Sequence, residues 1–230
     1  MSKIKIVLWD IDGTLLNFQA AEKAAINQCF EMHGLGTCTE EMLTQYSEIN
    51  HRYWKKLERG EMTKPEILVG RFKEFFEKQG LDVNKASAFN EDYQVQLGNT
   101  ICFEENGLEV ILALKGKVKQ YAVTNGTRVA QKRKLANSGL DQLLDRAFIS
   151  DEIGVEKPMP GFFKAVWAEV GTYARDEVLI VGDSLTSDMQ GGVNAGILTC
   201  WYNPKGMENT SGLKLDYEVQ DLSQILEIVK

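Results

Sequence analysis

Asp10 and Asp12 stand two positions apart in IVLWDIDGTLLNF, directly after four apolar residues. Two carboxylates this close repel one another, and a divalent cation that takes hard oxygen ligands can offset the repulsion. DIDGT alone is also an ordinary turn after a strand, since Asp and Gly are turn formers. Three further stretches carry complementary chemistry. VTNGT offers Thr124, Asn125 and Gly126: a hydroxyl, an amide and a pliable backbone that can cradle phosphate oxygens. It is also a common strand-to-helix turn. GVEKPMPG holds Lys157 in a loop stiffened by two prolines; a lysine fixed this way is a point charge for a phosphate, and a free one is a solvated surface group. VGDSLTSD adds Asp183 and Asp188, a second source of the oxygen ligands that Mg²⁺ shares with waters and phosphate.

These stretches need strands to aim them. Short branched runs predict strands at Ile4–Trp9, Val118–Val123, Ala147–Ile149, Val178–Val181 and Ile197–Trp201. Helical patterns lie between them, near 106–115, 128–138, 160–170, 187–195 and 221–229. The alternation predicts an α/β fold with a parallel, doubly wound sheet. The four motifs then fall at the carboxyl ends of strands, where open α/β sheets bind ligands. Between about residues 18 and 97 no good strand appears. Four helical segments fill that stretch, one opening on a Thr63–Glu66 capping box and stopping at Gly80. This reads as a helical domain inserted after the first strand, over the ligand end of the sheet.

With 230 residues, the chain can hold a core domain with a smaller insert. A net charge of −7 argues against binding nucleic acid polymers or anionic membranes. An anionic substrate must therefore be met by local lysines or a metal. Cys29, Cys38, Cys102 and Cys200 form no CxxC pair and are read as reduced packing residues. With no signal segment before the first strand and no apolar stretch long enough to span a membrane, the expectation is a cytoplasmic protein.

In their order, Asp10, Asp12, Thr124, Lys157, Asp183 and Asp188 resemble the haloacid dehalogenase superfamily, with its DxDGT, strand-end Thr or Ser, Lys and GDxxxD motifs. The resemblance spans nearly the whole chain. It implies a Rossmann-like catalytic core, residues 1–16 and 98–230, with a helical cap of the C1 type at 17–97. It implies that Asp10 attacks phosphorus to form an aspartyl-phosphate, while Asp12 serves as general acid and then base. Mg²⁺, or Mn²⁺ as substitute, would be held by Asp10, the Asp12 carbonyl and Asp183, with Asp188 and Ser184 one layer further out. Thr124, the backbone near Asn125, and Lys157 would hold the phosphoryl group and offset its charge.

A narrower likeness lies in TLLNFQAAEKAA and VGDSLTSDMQGGVNAGILTCWYNP, which resemble the pyrimidine 5′-nucleotidase subgroup. Asn17 stands where that subgroup more often has an acid, and Gly13 where an Asp is common. The implied substrate is a pyrimidine nucleoside 5′-monophosphate such as UMP, dUMP or dTMP. Phosphoglycolate or a sugar phosphate, a β-phosphoglucomutase-like transfer, and a non-enzymatic binding role are the alternatives. Asp12 argues against a dehalogenase. Phe18, Tyr46, His51 and Trp54 could stack on a base, although aromatics at helical spacing also pack between helices. Monomer and homodimer both remain open.

Overall fold

A computed structural model describes residues 3–230. In chain order its elements are β1 Ile6–Trp9, α1 Phe18–Met32, α2 Glu40–Glu58, α3 Lys64–Gln79, α4 Ala86–Asn99, α5 Gly107–Leu114, β2 Lys119–Thr124, α6 Arg128–Ser138, α7 Leu140–Leu143, β3 Arg146–Ile149, α8 Ser150–Ile153, α9 Pro160–Val170, β4 Val178–Gly182, α10 Gln190–Ala195, β5 Leu198–Tyr202, β6 Tyr217–Val219 and α11 Ile225–Ile228. They fall into two compact units: the chain up to Phe18 with Ile101–Lys230, and Gln19–Thr100.

The first unit is a six-stranded sheet in the order β3-β2-β1-β4-β5-β6, every neighbouring pair parallel. All four β1 side chains and all of β4 are buried, as expected of strands covered on both faces. Alternate residues of β1 serve opposite sides. Val7 and Trp9 join a core with Val110, Ile111 and Leu135, whereas Ile6 and Leu8 join one with Phe162, Phe163 and Met189. The Trp9 indole donates to Gln120 Oε1 at 3.1 Å, satisfying a buried polar group beside the sheet. Strand β1 lies between β2 and β4, so the chain reverses its building direction there. The carboxyl ends of these three strands, which carry Asp10, Thr124 and Asp183, are neighbours.

Three details depart from the sequence reading. β6 is an edge strand of three residues, YEV, too short and too polar to announce itself. The helix expected at 187–195 begins with a π-helical turn, Leu185–Met189, before α10. All four cysteines are free thiols, but Cys102 is exposed and so is not a packing residue. Among the described residues no helix is long and apolar enough to cross a membrane.

The second unit contains α2, α3, α4 and nearly all of α1. Thr39 Oγ1 accepts from the Met42 N–H to start α2, and the Glu66 carboxylate accepts from the Thr63 N–H at 2.7 Å to start α3. Gly80, at φ +65°, ends α3 in the left-handed conformation that glycine adopts freely. The interior is aromatic: Phe72 stacks on Tyr46 at 4.9 Å and meets Phe89 and Tyr93 edge-on at 5.0 and 5.1 Å. Next to it runs a buried polar chain. Asn50 donates to Glu22 at 2.7 Å and accepts from Arg71 at 2.6 Å, and Arg71 also donates to Asn90 at 3.2 Å.

Because three rings converge on Phe72, Phe72→Ala should cost about 3–5 kcal/mol. Hydrogen exchange should show the loss across residues 19–100 with the sheet strands unaffected. Unchanged protection in that segment would contradict this packing account.

Candidate active site

The geometry grows out of Asp10, the first residue beyond β1. Its backbone N–H donates to Val181 O at 2.9 Å, extending the ladder to β4 by one residue. The loop behind it folds tightly: the N–H groups of Leu15 and Leu16 return to Ile11 O, and that of Gly13 to Leu16 O. Gly13 adopts φ +87°, and a Cβ there would lie 2.7 Å from Asp183 Oδ2. Both its conformation and the approach of Asp183 therefore require glycine.

Lys157 is the hub. Its buried Nζ donates to Asp10 Oδ1 at 2.8 Å, Asp188 Oδ1 at 2.6 Å and Val123 O at 2.5 Å. Its backbone is fixed by Asn125, whose side chain accepts from the Lys157 N–H and donates to the Lys157 carbonyl, both at 2.8 Å, and also donates to Ser187 Oγ at 3.2 Å. The Asn125 side-chain amide is thus spent on the lysine loop, which leaves the backbone near Asn125, the part the resemblance assigns, for a phosphate. Thr124 Oγ1 accepts from the Gly126 N–H at 3.1 Å, which leaves its hydroxyl proton for another acceptor.

Asp188 has both oxygens engaged, one by Lys157 and the other by the Ser184 N–H at 3.1 Å. A Cβ on Gly182 would fall 2.3 Å from Asp188 Cγ, so the end of β4 is shaped to admit it. Asp183 is different. It is half-buried, and among the described residues no cationic side chain pairs with it. Oxygens of Asp10, Asp183 and Asp188 lie within 4.8 Å of one another.

Burial raises the Asp10 carboxyl to about 7; Lys157 opposes this while Asp188 and Asp12 add to it. Burial, then the charges of Asp10 and Asp188, push Asp183 well above the usual carboxylate range. Burial pulls Lys157 down, but Asp10 and Asp188 outweigh it and hold its pKa above the ordinary lysine value. With all three carboxyl groups ionised, one ammonium would leave an excess of two negative charges, which adds to burial in making Asp10 and Asp183 hold their protons; Asp183 and the second Asp10 oxygen are uncommitted. A divalent cation with hard oxygen ligands fits such a donor set.

Residues 4–196 match the family of haloacid dehalogenase-like hydrolases. The chain belongs to that family. The hydrolase YfnB of Bacillus subtilis is 32% identical over 100% of this chain and 97% of its own. The crystal structure of YfnB bound to magnesium superposes with a TM-score of 0.92, covering 99% of each chain. Two relatives are named pyrimidine 5′-nucleotidases. PynA of Streptococcus pneumoniae is 33% identical over 97% of this chain and 94% of its own, and YjjG of Escherichia coli is 28% identical over 97% and 96%.

The motifs lie far apart in sequence, and the sheet unites Asp10, Thr124, Lys157, Asp183 and Asp188. Asp12 lies close enough for its charge to act on Asp10, and its carboxylate contacts Gln131 and Lys134 of α6. Neither partner was anticipated, although a signal exists: both fall on the buried stripe of α6 marked by Ala130 and Leu135. Of the candidate stacking residues, Tyr46 is corrected by the structure. Its ring is fully buried against Phe72, Phe75 and Tyr93 in the helical unit and has no free face. Trp54 is half-buried, His51 is exposed, and the half-buried ring of Phe18 covers Lys134 Nζ at 5.5 Å.

Gly13→Ala must displace Asp183 or strain the loop. The expected outcome is a loss of about 10²-fold in turnover, the scale of an ångström-level misplacement, with a lowered thermal midpoint from the strained φ. Wild-type turnover in Gly13→Ala would contradict the close approach described here.

Proposed function

We propose that this hydrolase is a phosphomonoesterase acting on pyrimidine nucleoside 5′-monophosphates through an aspartyl-phosphate. The observation that carries the reading is the buried Lys157, which orients Asp10 through Oδ1 and leaves Oδ2 uncommitted beside Asp183. Asp10 attacks phosphorus as nucleophile. Asp12 donates a proton to the departing 5′ oxygen, then takes one from the water that attacks the phosphoryl-enzyme and releases phosphate. Lys157 and the Thr124 hydroxyl offset the charge on the transferring group.

Asp10, the Asp12 carbonyl and Asp183 would hold Mg²⁺, with Mn²⁺ as substitute, and Asp188 and Ser184 would support them from behind. When bound, the cation supplies charge neutralisation for the phosphoryl oxygens. The presence of magnesium in the YfnB crystal structure supports this choice of metal. The pyrimidine assignment draws on PynA and YjjG, which match nearly the whole chain. We assign the helical unit to substrate choice as a cap, with Phe18 and Trp54 as base-contact candidates.

Phosphate release should be measured with Mg²⁺ on UMP, dUMP, dTMP, CMP, AMP, GMP, phosphoglycolate and glucose phosphates. The expected result is preferred turnover of uracil and thymine nucleotides, lost in Asp10→Asn and on chelation of the metal. A flat or sugar-preferring profile, still lost in Asp10→Asn, would overturn the nucleotide assignment. Turnover that survives in Asp10→Asn would overturn the nucleophile.

A further inference from the structure

Asp12 is gripped by α6 alone. Gln131 Nε2 donates to Oδ2 at 2.6 Å, and Lys134 Nζ pairs with Oδ1. Both partners are only 1% exposed. A buried ammonium is costly unless paired, and Asp12 is the one carboxylate among the described residues that forms an ion pair with Lys134. Gln131 makes an equally specific commitment. Its Oε1 is buried without a partner, so among the described residues the bond to Asp12 is the only one its side chain makes. The loop before α6 is shaped to allow it: a Cβ on Gly126 would lie 2.1 Å from Gln131 Nε2. Lys134 Nζ also lies over the Phe18 ring, 5.5 Å from its centroid.

Ordinary packing does not account for this arrangement. An apolar side chain at 134 would fill the same space without a buried charge, and a Gln that served the core would satisfy its carbonyl oxygen. We propose that Lys134 and Gln131 are positioning residues that fix the Asp12 carboxyl group for proton transfer to and from the substrate. The proposal rests on the reading of Asp12 as acid and base. Neither residue need touch the substrate; both act through Asp12.

The test exploits leaving-group chemistry. A nucleoside 5′-monophosphate expels an alkoxide and needs the proton, whereas p-nitrophenyl phosphate expels a stable phenolate and hardly does. The value of kcat/KM should be measured on UMP and on p-nitrophenyl phosphate for wild type, Lys134→Met, Lys134→Arg, Gln131→Leu and Asp12→Asn, with melting curves for each. Lys134→Met and Gln131→Leu should lose about 10²-fold on UMP, the lower range for acid–base catalysis, and less than about 5-fold on p-nitrophenyl phosphate. Lys134→Arg should recover part of the loss. In an Asp12→Asn background neither substitution should lower UMP turnover further, because the group they orient is gone.

Equal losses on both substrates, or losses that add to that of Asp12→Asn, would overturn the proposal and leave the two residues a purely structural role. Should Lys134→Met fail to fold, Gln131→Leu, which removes no charge, decides the matter by the same ratio. If Asp12→Asn itself keeps wild-type turnover of UMP, the acid–base reading of Asp12 fails. If Asp12→Asn is impaired while the α6 variants match wild type, only the positioning proposal fails.

Discussion

The catalytic end of this protein depends on one buried ammonium. Lys157 Nζ sits where β1, β2 and β4 converge and satisfies Asp10, Asp188 and the Val123 carbonyl together. A charged group with little access to water is tolerated only when opposite charges and hydrogen bonds replace its hydration. Here two carboxylates and a carbonyl do so, and its pKa rises despite burial. The converse also holds. Without Lys157, Asp10 and Asp188 would be like charges facing each other in a dry site.

Several otherwise unrelated features follow from placing that group. Asn125 grips the lysine backbone from both sides and ties the end of β2 to the lysine loop. Gly182 lets Asp188 come close, Gly13 does the same for Asp183, and the π-helical turn after β4 carries Asp188 to the lysine. One lysine cannot balance three acids. Asp183 is the one member of the cluster with no cationic side chain paired to it among the described residues, and a divalent cation there would let it ionise and complete the balance.

Much of this was legible in the sequence because strand ends leave strong local marks. The apolar run before Asp10 and the Gly–Asp pair after β4 locate two of the site's acids, and the alternation of strands and helices announces the parallel sheet. What was not legible depends on side chains meeting across long sequence distances. Gln131 and Lys134 share a stripe of α6 with Ala130 and Leu135, but nothing in the sequence shows that this face meets Asp12, 119 and 122 positions earlier. The composition of the Asn125 loop points to its backbone as a phosphate cradle, but does not show that its side-chain amide ties down the lysine loop. Tyr46 could be read as a stacking residue or as packing, and periodicity cannot separate the two. Contact with Phe72, Phe75 and Tyr93 decides for packing. β6 left no mark because three residues at an edge need no apolar pattern.

We propose that Asp10, oriented by Lys157, becomes covalently attached to the phosphoryl group during turnover. The most direct measurement is rapid acid quenching of the enzyme mixed with Mg²⁺ and UMP, followed by peptide mass spectrometry. The account predicts one phosphoryl group on the peptide containing Asp10, formed at least as fast as steady-state turnover and absent in Asp10→Asn. Efficient turnover with no adduct at Asp10 at any quench time, or with the phosphoryl group on another residue, would contradict it.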